Sequence, residues 1–150
     1  MLSNKLPGLC LAIILAATTI FTTSSTLAEQ KQSIPGYDVH YMAYTSAMLT
    51  PEIAKNYRIQ RSKTLGVVTI SMLDETSQQA SAGLVRGEVR NAVGQLQTLD
   101  FQKVQEDQAI YYLATFRFAD EESLNFKIEL GPEKAVKLHN IAFKQQFFVE

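Results

Sequence analysis

The sequence predicts an all-β fold: a single antiparallel β-sandwich of immunoglobulin-like type with one short helix, or, as the alternative, a small β-barrel. Three observations carry this. Apolar and polar residues alternate with a period of two through most of the runs after Tyr37, as in strands with one face on a core and one in water. Short polar turns, not long linkers, separate those runs, and about 120 residues suit one domain with one core. Residues 29–150 contain no cysteine, so packing alone must hold the domain. The cysteine–tryptophan hallmark of antibody domains is absent, since the chain has no tryptophan.

The N-terminus reads as an export signal. Lys5 precedes an apolar run from Leu9 to Ala17, which softens through Thr18, Thr19, Ile20 and Phe21 before the small residues up to Ala28. A spanning helix needs about 20 apolar residues, more than this core supplies. Residues 1–28 therefore read as a cleaved secretory signal peptide, cut after Ala28. Cys10 opens the apolar core instead of following it, which argues against a lipid anchor. The expected location is the periplasm, with no membrane insertion after cleavage.

Residues 29–36, polar and ending in Pro35-Gly36, read as a flexible N-terminal segment ahead of a β-sandwich domain over 37–150. A strand is expected over 38–45. Val39, Tyr41 and Ala43 oppose Met42 and Tyr44 there, which leaves its inner face open. Thr50-Pro51-Glu52 supplies an N-cap, a proline at the first helical position and an acid in the first turn, so a two-turn helix should run to Tyr57. Strands follow at 64–73, with Val68, Ile70 and Met72 inward, and at 82–91, with Val85 and Val89 inward and Arg86, Glu88 and Arg90 in solvent. Gly87 reads as a bulge or a close backbone approach within that strand, and Gly94 as a turn glycine.

One further strand is expected in 95–105, around Leu96, Leu99 and Phe101. Ile110, Tyr112, Ala114, Phe116 and Phe118 form the inner face of the next run, and Leu124, Phe126, Ile128 and Leu130 that of the one after. With the polar turn 119–123 between them, these two runs read as an antiparallel hairpin. Pro132–Val136 reads as a turn. In the last strand, 141–149, Ile141, Phe143, Phe147 and Val149 share a side on which Gln145 is the odd member.

The formal charge is −1, and loss of the leader's single lysine leaves −2. Without a basic cluster of any size, neither nucleic acid nor an anionic membrane surface is an expected partner. His40 and His139 each lack a second histidine at ligand spacing, so no metal site is expected. No Gly-x-Ser-x-Gly elbow and no phosphate-cradling glycine loop is present, so no catalytic residue and no cofactor is assigned. Glu106-Asp107 and Asp120-Glu121-Glu122 read as solvated turn acids.

Three polar clusters and one histidine are the candidate binding residues. Arg58, Arg61 and Lys63 bring three cations together just after the helix, a candidate anion- or partner-binding patch. Asn91 and Gln95 flank a hairpin tip or loop. Glu106 and Tyr111 bracket the start of the aromatic run, in which a buried Tyr112 would need a partner for its hydroxyl. His40 is the residue best suited to acid/base work, with Tyr41 or Glu106 as helper.

These clusters also carry a resemblance. His40-Tyr41, Leu49-Thr50-Pro51-Glu52-Ile53-Ala54, and Tyr57 and Ile59 with Arg61-Ser62-Lys63 resemble the opening of a domain-of-unknown-function family of small exported bacterial proteins. Asn91, Gly94-Gln95 and Glu106 with Ala109-Ile110-Tyr111-Tyr112 look like its central motif. Glu122, Leu124 and Phe126, then Phe143, Gln145 and Phe147, are similar to its closing strands. The resemblance implies an exported single domain with a β-sandwich fold, and brings no activity or site residues with it.

The function expected from all this is a periplasmic binding or protein-interaction module, its partner an unknown periplasmic protein or small ligand. The alternatives are an enzyme with a site assembled around His40, and a structural or chaperone-like module that pairs through an edge strand.

Overall fold

The computed structural model describes residues 29–149; the expected signal peptide, residues 1–28, lies outside them. In chain order the elements are β1 (Gln30–Ile34), β2 (Tyr37–Thr45), a 3-10 turn (Ser46–Met48), α1 (Pro51–Asn56), β3 (Leu65–Asp74), β4 (Leu84–Asn91), β5 (Leu96–Leu99), β6 (Gln102–Glu106), β7 (Ala109–Arg117), β8 (Glu122–Gly131) and β9 (His139–Phe147). They form two antiparallel sheets, ordered β1-β2-β3-β7-β6 and β5-β4-β8-β9. The sheets face each other as a sandwich and do not close into a barrel.

Both sheets turn their apolar positions inward. Val39 and Tyr41 of β2, Val68, Ile70 and Met72 of β3, and Tyr112, Ala114 and Phe116 of β7 meet Val85 and Val89 of β4, the four apolar positions of β8, and Ile141 and Phe147 of β9. The inner face of β2, undecided in the sequence, is therefore the Val39 face. Phe116 is the hub: its ring stands edge-on to Phe126 at 5.0 Å and to Phe147 at 5.1 Å. Gly87 sits inward between Val85 and Val89, where a Cβ would lie 2.8 Å from the Lys127 carbonyl, so the close-approach reading of that glycine holds.

Three expectations about the chain path are corrected. Residues 30–34 are not a loose segment; they form β1, paired with β2 from Gln30↔Tyr41 to Ile34↔Tyr37. Pro35-Gly36 is the tight turn between them, with Gly36 at φ +84, and Ile34 is buried in the core. Pro-Gly before a run signals a hairpin turn as readily as a free end, and β1 is too polar to announce itself.

The second correction concerns β7 and β8, which are not a hairpin. β7 pairs with β3 and β6, whereas β8 pairs with β4 and β9. The turn carries the chain from one sheet to the other, so the two inner faces meet across the core. The Glu122 carboxylate accepts from Ala119 N at 2.8 Å, Asp120 accepts from Val149 N at 2.8 Å, and Glu121 takes the left-handed φ of 56°. Alternation identifies a strand's buried face but not its neighbour in the sheet.

The third is the segment 95–105, which holds two strands in different sheets. β5 closes on β4 and β6 on β7, with Asp100 and Phe101 crossing between. The described residues thus form nine strands, where about seven were expected.

Two polar residues at inward or seam positions satisfy backbone groups. Tyr112 Oη donates to the Gly83 carbonyl and accepts from Gly83 N, both at 2.8 Å. Gln145, the odd member of β9, donates its amide to the Ala43 carbonyl of β2 at 2.8 Å and so links the two sheets along one seam.

α1 covers the outer face of the five-stranded sheet. Thr50 caps it by accepting from Ile53 N at 3.3 Å. Leu49 and Ala54 pack on Val67 and Leu113, with Tyr44, Tyr57, Ile59, Val104 and Tyr111 around them as a second, smaller core.

Candidate functional site

The basic cluster lies on the return segment from α1 to β3. That segment is pinned by the buried Ser46, whose hydroxyl contacts the Gln60 carbonyl at 2.9 Å and accepts from Ser62 N at 2.9 Å. Arg61 is used locally, since Nη2 donates to the Ala47 carbonyl at 2.9 Å. Arg58 follows the helix at φ 55°, a helix-ending conformation more often taken by glycine or asparagine. Arg58 and Lys63 are exposed and form no ion pair among the described residues.

Glu106 and Tyr111 do come together with the helix. The Tyr57 hydroxyl donates to the Glu106 carboxylate across the small outer core. That bond first, then burial and the negative charge of Glu106, push the Tyr57 pKa up to about 12. Tyr111 and Tyr44 flank the same spot. The bond ties the end of α1 to the β6–β7 hairpin.

His40 and Tyr41 separate. Consecutive strand residues point to opposite faces, so Tyr41 is in the core, stacked on Phe143 at 4.6 Å, while His40 is on the outer face. His40 Nδ1 lies 3.4 Å from Glu29 Oε1, and Nε2 is buried without a hydrogen-bond partner. Glu106 belongs to β6, three inter-strand steps from β2, or about 14 Å at the usual strand spacing. Neither helper named from the sequence reaches His40.

Asn91 and Gln95 close the β4–β5 hairpin. Asn91 Nδ2 donates to Gln95 Oε1 at 2.7 Å and to Glu122 at 2.9 Å, and Gln95 N donates to Asn91 Oδ1 at 2.8 Å. Gly94 takes φ +86 in the turn, as expected. These amides are satisfied by one another on the four-stranded sheet, whereas Glu106 and Tyr111 lie on the other. Among the described residues no hydrogen bond links the two groups.

A well-formed concavity lies elsewhere. β5 leaves the four-stranded sheet after Leu99, and the notch beside it opens a cleft of about 690 Å³. Val85, Leu99 and Phe101 give it apolar surface; Arg86, Glu88, Lys127 and Glu129 from β4 and β8, with Asp100 of the crossover, bring charge of both signs. Arg86 Nε binds Glu129 Oε2 at 2.7 Å. Lys127 and Asp100 have no ionic partner among the described residues. A partly apolar cleft of this size with a few convergent polar groups is the usual form of a small-ligand site. Among the described residues no three His, Cys, Asp or Glu side chains are grouped to hold a metal ion. No helix among them is long and apolar enough to cross a membrane.

A family model for a domain of unknown function, DUF4426, matches residues 31–150. The chain belongs to the DUF4426 family. The match begins within β1, in keeping with that strand being part of the domain. The crystal structure of a DUF4426 family protein from Pseudomonas aeruginosa PAO1 is similar at a TM-score of 0.70 and 30% identity, over 81% of this chain and 96% of that one. FetP of uropathogenic Escherichia coli strain F11, expressed recombinantly in the periplasm of E. coli, shares the fold at a TM-score of 0.57 and 8% identity, over 81% of this chain and 94% of its own. A copper-bound variant of the same FetP gives a TM-score of 0.57 and 8% identity, over 80% and 95%. No curated protein matches.

The cleft of this DUF4426 domain was missed in the sequence for a specific reason. Alternation alone puts Arg86 and Glu88 in solvent, and Lys127 and Glu129 stand at polar positions of their alternating run. What joins them to Asp100 and Phe101 is the departure of the chain after Leu99, hidden when 95–105 is read as one strand.

Proposed function

We propose that this chain is an exported recognition module that works in the periplasm, and that its ligand surface is the cleft beside β4 and β5. The observation that carries this is the cleft itself, which combines apolar floor with Lys127 and Asp100, charges that no other described side chain neutralises. The leader-like residues 1–28 support export, as does the fold shared with FetP, a protein expressed in the periplasm. The partner is a periplasmic protein segment or a small ligand. The basic residues Arg58, Arg61 and Lys63 form a secondary surface on the opposite sheet.

The acid/base alternative around His40 has weaker support, because Tyr41 is turned into the core and Glu106 is engaged by Tyr57. Two measurements test the proposal. The full chain produced in a Gram-negative bacterium should be recovered from the periplasm with Glu29 as its first residue; recovery from the cytosol with Met1 retained refutes export. Backbone amide spectra of the protein should shift around Arg86, Asp100 and Lys127 when mixtures of short peptides or amino acids are added. Shifts confined to the Arg58–Lys63 segment would move the recognition surface there.

A further inference from the structure

The backbone of β4 is paired unevenly. On one side β8 zips it along its whole length, from Leu84↔Gly131 to Asn91↔Leu124. On the other side β5 pairs only from Gly87↔Leu99 to Arg90↔Leu96. Beyond Leu99 the chain turns into the other sheet, so Leu84–Arg86 have no strand on that flank. Just before them, Gly83 N–H and C=O are both held by Tyr112. The open stretch is three residues long, but backbone groups alternate between flanks. Asn91 N bonds towards β5, so Leu84 and Arg86 are turned to β8, and the N–H and C=O of Val85 are the pair left open in the cleft.

Elsewhere the fold covers comparable gaps with side-chain amides. β6 stops pairing with β7 at Leu113, and further along β7 the Gln97 amide takes both backbone groups of Arg117, each at 2.8 Å. β1 stops pairing with β2 at Tyr41, and the Ala43 carbonyl is met by Gln145. No described side chain hydrogen-bonds to the backbone of Leu84–Arg86. Sheet edges left bare invite pairing with another chain, and proteins usually guard them.

We propose that the cleft takes an extended peptide segment of a partner protein, added to β4 as a short strand alongside Leu84–Arg86. This deepens the reading of the cleft as the ligand surface and rests on it. Backbone groups of β4 supply sequence-independent hydrogen bonds, while alternate side chains of the guest meet different surroundings. One set packs on Val85, Leu99 and Phe101. The other set faces the charged wall, where Lys127 takes an acidic residue and Asp100 a basic one. A single free N–H and C=O pair at Val85 gives a weak, reversible complex.

The test uses ¹⁵N-labelled protein and two mixtures of capped pentapeptides. The first alternates valine with glutamate or lysine. The second is identical but carries N-methyl groups on every peptide nitrogen, which removes the donors and blocks strand pairing. The first mixture should shift amides of Leu84–Arg86 and Leu99–Gln102 with at least tenfold tighter apparent binding than the second. Lys127→Glu should change which of the glutamate and lysine peptides binds, while the amide spectrum outside the cleft stays unchanged. Equal binding of both mixtures at the cleft overturns strand addition but leaves a ligand cleft. Absence of shifts at the cleft with either mixture, but shifts there with free amino acids, does the same. If neither the peptide mixtures nor free amino acids shift cleft residues, both strand addition and the cleft reading fall.

Discussion

Gln97 and Arg117 pair as if they were neighbouring strand residues, although one is on β5 and the other on β7 of the opposite sheet. Gln97 Nε2 donates to the Arg117 carbonyl at 2.8 Å, and Gln97 Oε1 accepts from Arg117 N at 2.8 Å. A side-chain amide carries the same donor and acceptor as a peptide group, so it can stand in for a missing ladder partner. The arrangement holds the seam beside the crossover through Asp100 and Phe101, and so fixes the position of the cleft wall. Gln97→Ala should lower stability by about 0.5–1.5 kcal/mol, the usual net worth of such bonds at a site that water can reach. Urea unfolding of the two proteins measures it. Gln97→Glu keeps the acceptor, loses the donor, and should not restore the loss.

Tyr112 is the corresponding bond on the buried side. Its hydroxyl is the partner of both Gly83 backbone groups, and the residue is 4% exposed. Tyr112→Phe keeps the ring in the core but leaves Gly83 N–H and C=O without partners where water is scarce. The expected cost is about 1–3 kcal/mol, larger than for Gln97, because the penalty falls on desolvated groups. Denaturant unfolding gives the magnitude, and faster hydrogen exchange at the Gly83 amide gives the location.

Asp38 makes the β1–β2 hairpin sensitive to acid. It accepts from Lys31 Nζ at 2.7 Å, Ser33 Oγ at 2.6 Å and Gln78 Nε2 at 2.9 Å. These bonds, that of Lys31 foremost, hold its carboxyl well below the usual carboxylate range. A depressed folded-state pKa gives stability that is fully present above the unfolded value of about 3.9 and is lost as pH falls below it. The wild-type melting temperature should therefore drop between about pH 4 and pH 2. Asp38→Asn should be less stable at pH 7 and should lose less over that acid window. Parallel acid profiles for the two proteins would contradict this role.

Tyr57 works in the opposite direction at high pH. Its pKa is raised from 10.0 to about 12, first by the hydrogen bond to Glu106. A raised folded-state value stabilises the protein below the unfolded pKa, and that contribution disappears as pH rises through the interval to the folded one. α1 should accordingly loosen from the β6–β7 hairpin between pH 10 and 12. Glu106→Ala removes both the acceptor and the charge, so Tyr57 should ionise nearer to 10. Ring-proton NMR shifts of Tyr57 against pH read this directly; a titration unchanged by the substitution would break the assigned cause.

Much of the fold was legible because alternation is a local property. Val68-Ile70-Met72, Leu124-Phe126-Ile128-Leu130 and the Ile110–Phe118 run each name their own buried face without reference to the rest of the chain. Thr50-Pro51-Glu52 likewise marks its helix by capping chemistry alone. What could not be read was pairing. The step from Phe118 to Leu124 looks the same whether the chain folds back in one sheet or crosses to the next, and only the opposing faces of Phe116 and Phe126 show which. β1 stayed hidden because a polar edge strand carries little alternation, and its identity depends on Asp38 gathering Lys31 and Ser33. The cleft was invisible for a related reason: it is made by what β5 fails to cover. Arg86 and Lys127 are ordinary outward strand residues until Asp100 leaves the sheet beside them.

Recognition at the cleft rests on β4 being open along one flank over Leu84–Arg86. Amide hydrogen exchange in the free protein tests that most directly. The account predicts that the Val85 amide exchanges at least about a hundredfold faster than the amides of Gly87 and Val89, which face β5 on the same flank, because water reaches it without unfolding. Uniform protection along the whole of β4 would contradict it, since something would already be covering the edge.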